Sequence, residues 1–214
     1  MCWQGRFELL RALGMGSSGA VFEARDRVTR RSLALKILRR CEPQALSRFK
    51  QEFRVLAEIA HPNLVAVHEL IVDAEQRASF SMDLVRGRTF LEYVRDPEAG
   101  HGCDEPRLRA ALGQLVRAVQ CLHEHGILHR DLKPANVLMD AAGRLTLVDF
   151  GLAQHRSQAA GQGDFEGTPA YAAPEQIASA GTVDHRADVY AFGCLAYELF
   201  AGSPPFDGRN LRDT

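Results

Sequence analysis

His129-Arg130-Asp131-Leu132-Lys133-Pro134-Ala135-Asn136, followed by Asp149-Phe150-Gly151, is the stretch on which the reading of this chain turns. It sets charged and amide side chains between short apolar runs, Val137 to Met139 and Leu145 to Val148. Unpaired charges in such a place are costly, so an acidic surface loop is a poor account of them. Asp131 is suited to orient a hydroxyl and accept its proton. Lys133, two residues on, can neutralise charge on a transferring phosphoryl group. Asn136 and Asp149 offer hard oxygens of the kind that hold magnesium jointly with phosphate.

Upstream lies Gly14-Met15-Gly16-Ser17-Ser18-Gly19-Ala20-Val21. Glycines let backbone N–H groups approach phosphate oxygens without a side chain in the way. The same spacing marks dinucleotide-binding turns, but those need a helix directly after the glycines. Here a strand pattern, Ala20 to Ala24, follows instead, which leaves a phosphate cradle or a plain flexible hairpin. Lys36 sits within Ala-Leu-Lys-Ile-Leu, a strand over Leu33 to Leu38. It is either a solvated edge lysine or a buried cation in need of an anion. Glu52 is the candidate partner. It falls beside the stripe Leu46, Phe49, Phe53, Leu56 and Ile59, whose spacing of three and four predicts a helix opened by Pro43. Phe7 to Leu13, Leu64 to Val72 and Ala78 to Val85 read as further strands.

The second half reads differently. Asp96 to Asp104 is a loop, and Pro106 opens a long helix with Leu108, Leu112, Leu115, Val119 and Leu122 on one face, closed by Gly126. Asp140 to Gly143 makes a hairpin turn. Val189 to Phe200 is a buried helix. The chain therefore divides into a strand-rich part, residues 1–85, and a helix-rich part, residues 86–214. Its 214 residues carry 26 basic and 27 acidic side chains, a net charge of −1, which excludes strong electrostatic attraction to nucleic acid or anionic membrane. No apolar run is long enough to span a bilayer, and the amino terminus lacks an apolar signal core. Five scattered cysteines argue against a disulfide scaffold and fit a reducing cytoplasm. His123, His125 and His129 do not make a convincing zinc site, because the first two point different ways on a helix end.

Taken in order, these motifs resemble the eukaryotic-type serine/threonine protein kinases: the glycine turn with Val21, Leu33-Ala34-Leu35-Lys36, His129 to Asn136, Asp149-Phe150-Gly151 and Ala173-Pro174-Glu175. Lys133 and the Gly167-Thr168-Pro169-Ala170-Tyr171 loop are similar to the serine/threonine branch. The resemblance implies an α+β, two-lobed protein kinase fold, with a small antiparallel β lobe carrying one helix and a mostly helical large lobe. It implies that ATP and Mg2+ are used to phosphorylate a protein hydroxyl. Gly14, Gly16, Gly19 and Lys36 would bind phosphates, with Lys36 paired to Glu52. Val21, Ala34 and Leu138 would sandwich the adenine, Met82 would be the gatekeeper, and Asp83 and Val85 would bond its edge. Asp131 would be the base and Asn136 and Asp149 the metal ligands. Leu56, Val67, His129 and Phe150 would form a spine, and Asp188 would anchor the catalytic loop.

The departures from the family pattern carry expectations of their own. Among residues 152–166 only Ser157 bears a hydroxyl, and Asp164 stands where a phosphothreonine often pairs with the arginine equivalent to Arg130. Either Asp164 pairs with Arg130 and partly orders the segment, an exposed pair contributing only about 0–1 kcal/mol, or it is a solvated carboxylate. Thr89 and Ala135 replace glutamates that select upstream arginine, so no strong need for such an arginine is expected. The chain stops where the family continues with several helices. Glu175 would then lack its usual arginine, and apolar faces of the last helix would lose cover. The alternative to an active kinase is a catalytically weak or inactive nucleotide-binding module. A small-molecule kinase is a third, less favoured reading.

Overall fold

A computed structural model of the chain describes residues 2–16, 19–38, 43–73, 77–95, 102–149, 168–178 and 183–206. They cluster into two compact units, one drawn from residues 2–60 and 65–85, the other from 61–64, 86–149 and 168–206.

The first unit is built on β1 (Cys2–Trp3), β2 (Phe7–Gly16), β3 (Gly19–Asp26), β4 (Ser32–Leu38), β5 (Val67–Val72) and β6 (Ala78–Met82), with helix α1 (Pro43–Glu58). The strands form one antiparallel sheet in the order β1-β2-β3-β4-β6-β5. Alternation along β4 sends side chains to opposite faces. Leu33 and Leu35 join Phe7 and Ala24 in a buried cluster flanked by Trp3 and Ile71. On the opposite face the α1 stripe, Leu46, Phe49, Phe53 and Leu56, is buried. Phe49 and Phe53 pack on Phe80, with ring centroids 5.9 and 5.7 Å away. Each such burial contributes roughly 1.5–3 kcal/mol. Lys36 is the register partner of Phe80, so it shares the face that α1 covers, and it is only 3% exposed. That excludes a solvated edge lysine.

Asp26 is the last residue of β3 and is buried. Its carboxylate accepts from Arg6 Nε and Nη2 at 3.1 and 2.9 Å, from Val28 N at 2.9 Å and from Thr29 Oγ1 at 3.0 Å. The turn is thus organised around a buried carboxylate rather than around solvent.

The second unit holds β7 (Arg88–Thr89), α2 (Phe90–Val94), α3 (Glu105–Glu124), β8 (Val137–Met139), β9 (Leu145–Leu147), α4 (Pro174–Ala178) and α5 (Arg186–Ala201). The strands form a sheet in the order β7-β8-β9. Helix α3 starts because Asp104 caps Arg107 N and Pro106 lies in the first turn. Its buried stripe is Leu108, Ala111, Leu115, Ala118, Val119 and Leu122, while Leu112 is only half-buried. Cys194 is buried and Cys121 only partly so. Helix α5 leaves Val189, Tyr197 and Phe200 more than half exposed, at 60, 54 and 69%.

Several strand ends differ from the sequence reading, two of them by falling well short of it. The strand expected from Leu64 begins at Val67, because residues 61–64 are held by the second unit. Asn63 Nδ2 donates to Leu145 O at 2.8 Å and to Gln114 Oε1 at 2.9 Å, and Leu64 bridges to Leu147. The strand expected to reach Val85 stops at Met82, where the ladder with β4 ends at Ala34. Helix α2 was not anticipated. It starts from a capping box in which Glu92 N donates to Thr89 Oγ1 while Glu92 Oε2 accepts from Thr89 N.

Candidate functional site

In the second unit the segment after α3 turns sharply to present Asp131. Gly126, at φ 72°, lets the chain leave the helix, and Ile127 and His129 are buried. Arg130 adopts φ 64°, a left-handed conformation unusual for a residue with a side chain. Asp188, on the first turn of α5, holds this backbone from beneath. Its carboxylate is 1% exposed and accepts from His129 N and Arg130 N, each at 2.8 Å, and from His123 Nε2 at 2.8 Å. Burial lowers the His129 pKa and so favours the neutral ring. Its Nδ1 accepts from Asp131 N at 3.3 Å, which places the ring proton on Nε2.

Around the Asp131 carboxylate three donors converge. Lys133 Nζ donates to Oδ2 at 2.7 Å, Asn136 Nδ2 to Oδ2 at 3.0 Å, and Thr168 Oγ1 to Oδ1 at 3.2 Å. Lys133 Nζ also donates to Thr168 Oγ1 at 2.8 Å. Asn136 lies in the 3-10 turn Pro134–Asn136, and its Nδ2 further donates to Asp131 O at 2.7 Å. The arrangement pairs a proton-accepting carboxylate with a fixed cation and receives a hydroxyl between them. With Nδ2 engaged, Asn136 keeps its carbonyl oxygen for a hard cation. Asp149, at φ 58°, adds a carboxylate. No group of three or more His, Cys, Asp or Glu among the described residues could hold a metal alone. The oxygen donors fit a divalent ion whose shell is completed by phosphate and water.

The segment bearing Thr168 is held at its other end. Tyr171, in the 3-10 turn Pro169–Tyr171, donates its hydroxyl to Glu198 Oε2 on α5, and burial and that carboxylate together push the phenol pKa up. Arg186 Nε donates to Asp184 at 3.1 Å, and that bond first, with the Glu175 charge a lesser contribution, raises the Arg186 pKa.

In the first unit the three glycines differ. A Cβ on Gly14 or Gly16 would meet nothing, whereas one on Gly19, at φ 146°, would overlap the carbonyl of Ile37. Gly19 is therefore required by the β3–β4 pairing itself. A cleft of about 360 Å³ is lined by Met15, Gly16, Gly19, Ala20, Ile37 and Leu38. Val21 is in register with Lys36, and Ala34 with Met82, both of the latter pair buried. Asp83 is exposed, with Oδ1 2.8 Å from His68 Nε2, and Val85 is half-buried. Glu52 is half-buried on α1; Leu56 and Val67 are buried. In the second unit Leu138 is half-buried on β8 opposite Thr89. Phe150, Ser157 and Asp164 lie outside the described residues.

Sequence reasoning missed His123 as a partner of Asp188 and weighed it only as a metal ligand. The two are 65 residues apart, so no local spacing could have joined them.

Residues 7–214 match the family described as the protein kinase domain. The chain is 41% identical over 214 residues to the DNA damage-responsive serine/threonine-protein kinase RqkA of Deinococcus radiodurans, covering 95% of this chain and 31% of that protein. It is 36% identical over 213 residues to CBL-interacting protein kinase 9 of Oryza sativa subsp. japonica, covering 97% of this chain and 46% of that protein. CBL-interacting protein kinase 5 of the same rice is 34% identical over 214 residues, with 97% and 45% covered. The chain thus spans between 31 and 46% of the length of these relatives.

Proposed function

The chain belongs to the protein kinase family, and on that premise we propose that it transfers the γ-phosphoryl group of ATP to a serine or threonine hydroxyl of a protein. The observation that carries this reading is the Asp131 carboxylate, 2.7 Å from Lys133 Nζ and already accepting a hydroxyl, that of Thr168, at 3.2 Å. In the reaction the substrate oxygen bonds to the γ-phosphorus as the bond to the β–γ bridging oxygen breaks, and ADP leaves. Asp131 orients the hydroxyl and receives its proton, while Lys133 offsets charge on the moving phosphoryl group. Mg2+, held by Asn136 and Asp149 together with the nucleotide, would neutralise phosphate charge.

The remaining assignments follow the family pattern. Gly14, Gly16, Gly19 and Lys36, with Glu52, serve the phosphates. Val21, Ala34, Met82, Asp83, Val85 and Leu138 serve the adenine. Asp188 positions the loop that carries Asp131. Unpaired thiols at Cys2, Cys103, Cys121 and Cys194 support a reducing, cytoplasmic setting. No helix among the described residues is long and apolar enough to cross a membrane.

The test is transfer of label from γ-labelled ATP by the purified chain with Mg2+. Asp131→Asn is expected to lower the rate at least about 10²-fold, and Asp149→Ala comparably. A rate in Asp131→Asn equal to that of the unaltered chain refutes the assignment. A thermal shift with Mg·ATP but no transfer would instead favour a nucleotide-binding module.

A further inference from the structure

Gln176, on α4, has no part in the roles assigned above. The geometry points to Gln176 as a positioning residue that clamps the Arg130–Asp131 peptide and thereby aims the Asp131 carboxylate. The inference rests on the kinase reading of Asp131.

Arg130 is held at φ 64°, a conformation that persists only where the surroundings over-determine it. Its two peptide groups show how. The N–H donates to Asp188 Oδ1 at 2.8 Å, and the C=O accepts from Gln176 Nε2 at 3.2 Å. At its other end, Gln176 Oε1 accepts from Ala173 N, the residue before α4, at 3.0 Å. A primary amide is suited to this bridge because it presents a donor and an acceptor at one terminus. The two bonds together also fix which end is oxygen and which nitrogen. The carbonyl that Gln176 holds belongs to the peptide whose N–H, that of Asp131, reaches His129 Nδ1 at 3.3 Å. If that carbonyl is released, the peptide can rotate toward a relaxed φ. Asp131 then loses its N–H partner and its aim at Lys133 and Thr168. Gln176 thus couples the segment bearing Thr168 to the loop bearing Asp131.

A purely local role, capping Ala173 N, makes a different prediction, and two variants of the 214-residue chain separate them. Gln176→Glu keeps the acceptor for Ala173 N, and its charge suits the start of a helix, but it cannot donate to the Arg130 carbonyl. Gln176→Ala loses both bonds. If Gln176 clamps the peptide, both variants lower kcat by about tenfold with KM for Mg·ATP unchanged, and Glu is no better than Ala. Hydrogen exchange at the Asp131 amide also rises in both, whereas the larger fall in thermal midpoint is confined to Gln176→Ala, which also strands the N–H of buried Ala173. If Gln176 only caps, Gln176→Glu behaves as the unaltered chain does in kcat and in exchange, and the proposal is overturned. Raised exchange with unchanged kcat overturns it equally. The exchange measurement needs no turnover. A chain without phosphoryl transfer would therefore refute the kinase reading while the clamp itself was still decided by the Asp131 amide.

Discussion

Asp188→Asn is the substitution that most directly probes how the Asp131 loop is held. The wild-type carboxylate is 1% exposed and takes three donors: His123 Nε2 and His129 N on Oδ2, and Arg130 N on Oδ1, each at 2.8 Å. Asparagine has the same shape but only one acceptor oxygen. With that oxygen toward His123 and His129, its NH2 faces the Arg130 N–H, donor against donor. In the reverse orientation two donors lose their acceptor. At least one buried N–H is left unsatisfied, at about 1–3 kcal/mol, and the surviving bonds lose their charge assistance, at roughly 1 kcal/mol each. The sum is about 4 kcal/mol, within the range of roughly 3–5 kcal/mol for breaking a buried charged contact. In a chain of this size that lowers the thermal midpoint by roughly 8–16 °C. Circular dichroism melting measures it, and hydrogen exchange at the Arg130 amide localises it. Asp184→Asn, which alters an exposed pair with Arg186, is the control and is expected to leave the midpoint unchanged. A midpoint for Asp188→Asn equal to that of the control, with the Arg130 amide still protected, would refute the reasoning.

Two further outcomes concern the first unit. Asp26 is held well below the usual carboxylate range, first by Arg6 and then, against the cost of burial, by the N–H of Val28 and the hydroxyl of Thr29. The stability it contributes is full above the unfolded-state value near 4 and is lost as pH falls toward the depressed folded value. Fluorescence of Trp3, the single tryptophan, should therefore report an unfolding midpoint that drops below about pH 4, and Asp26→Asn should flatten that dependence. An equally steep acid limb in the variant would contradict the assignment. Gly19→Ala forces a Cβ onto the Ile37 carbonyl at φ 146° and is expected to destabilise the sheet by about 1–3 kcal/mol in urea titrations. Gly16→Ala, with open space around its Cβ, is expected to change stability by less than about 0.5 kcal/mol, and equal costs at the two positions would be evidence against the geometry.

Much of the fold is legible in the chain because its signals are local. The spacing of Leu46, Phe49, Phe53 and Leu56 marks α1. The short apolar run Leu33 to Leu38 marks β4, and Pro106 marks the start of α3. Even the order of the chemical groups from Gly14 to Glu175 is readable, since each motif needs its residues within a few positions of one another. Lys36 shows where that legibility stops. Its strand was clear, but its burial depended on Phe80 and the α1 phenylalanines arriving on the same face.

By itself, then, the sequence determined which residues form elements and which could do chemistry. Only the tertiary structure decided who holds those residues in place. Asn63 reaches Leu145 across 82 positions, Asp188 reaches His129 across 59, and Gln176 reaches Arg130 across 46. Each is a polar side chain satisfying a backbone group that the elements leave unpaired. Which groups are left unpaired is set by packing between elements, and no periodicity along the chain encodes it.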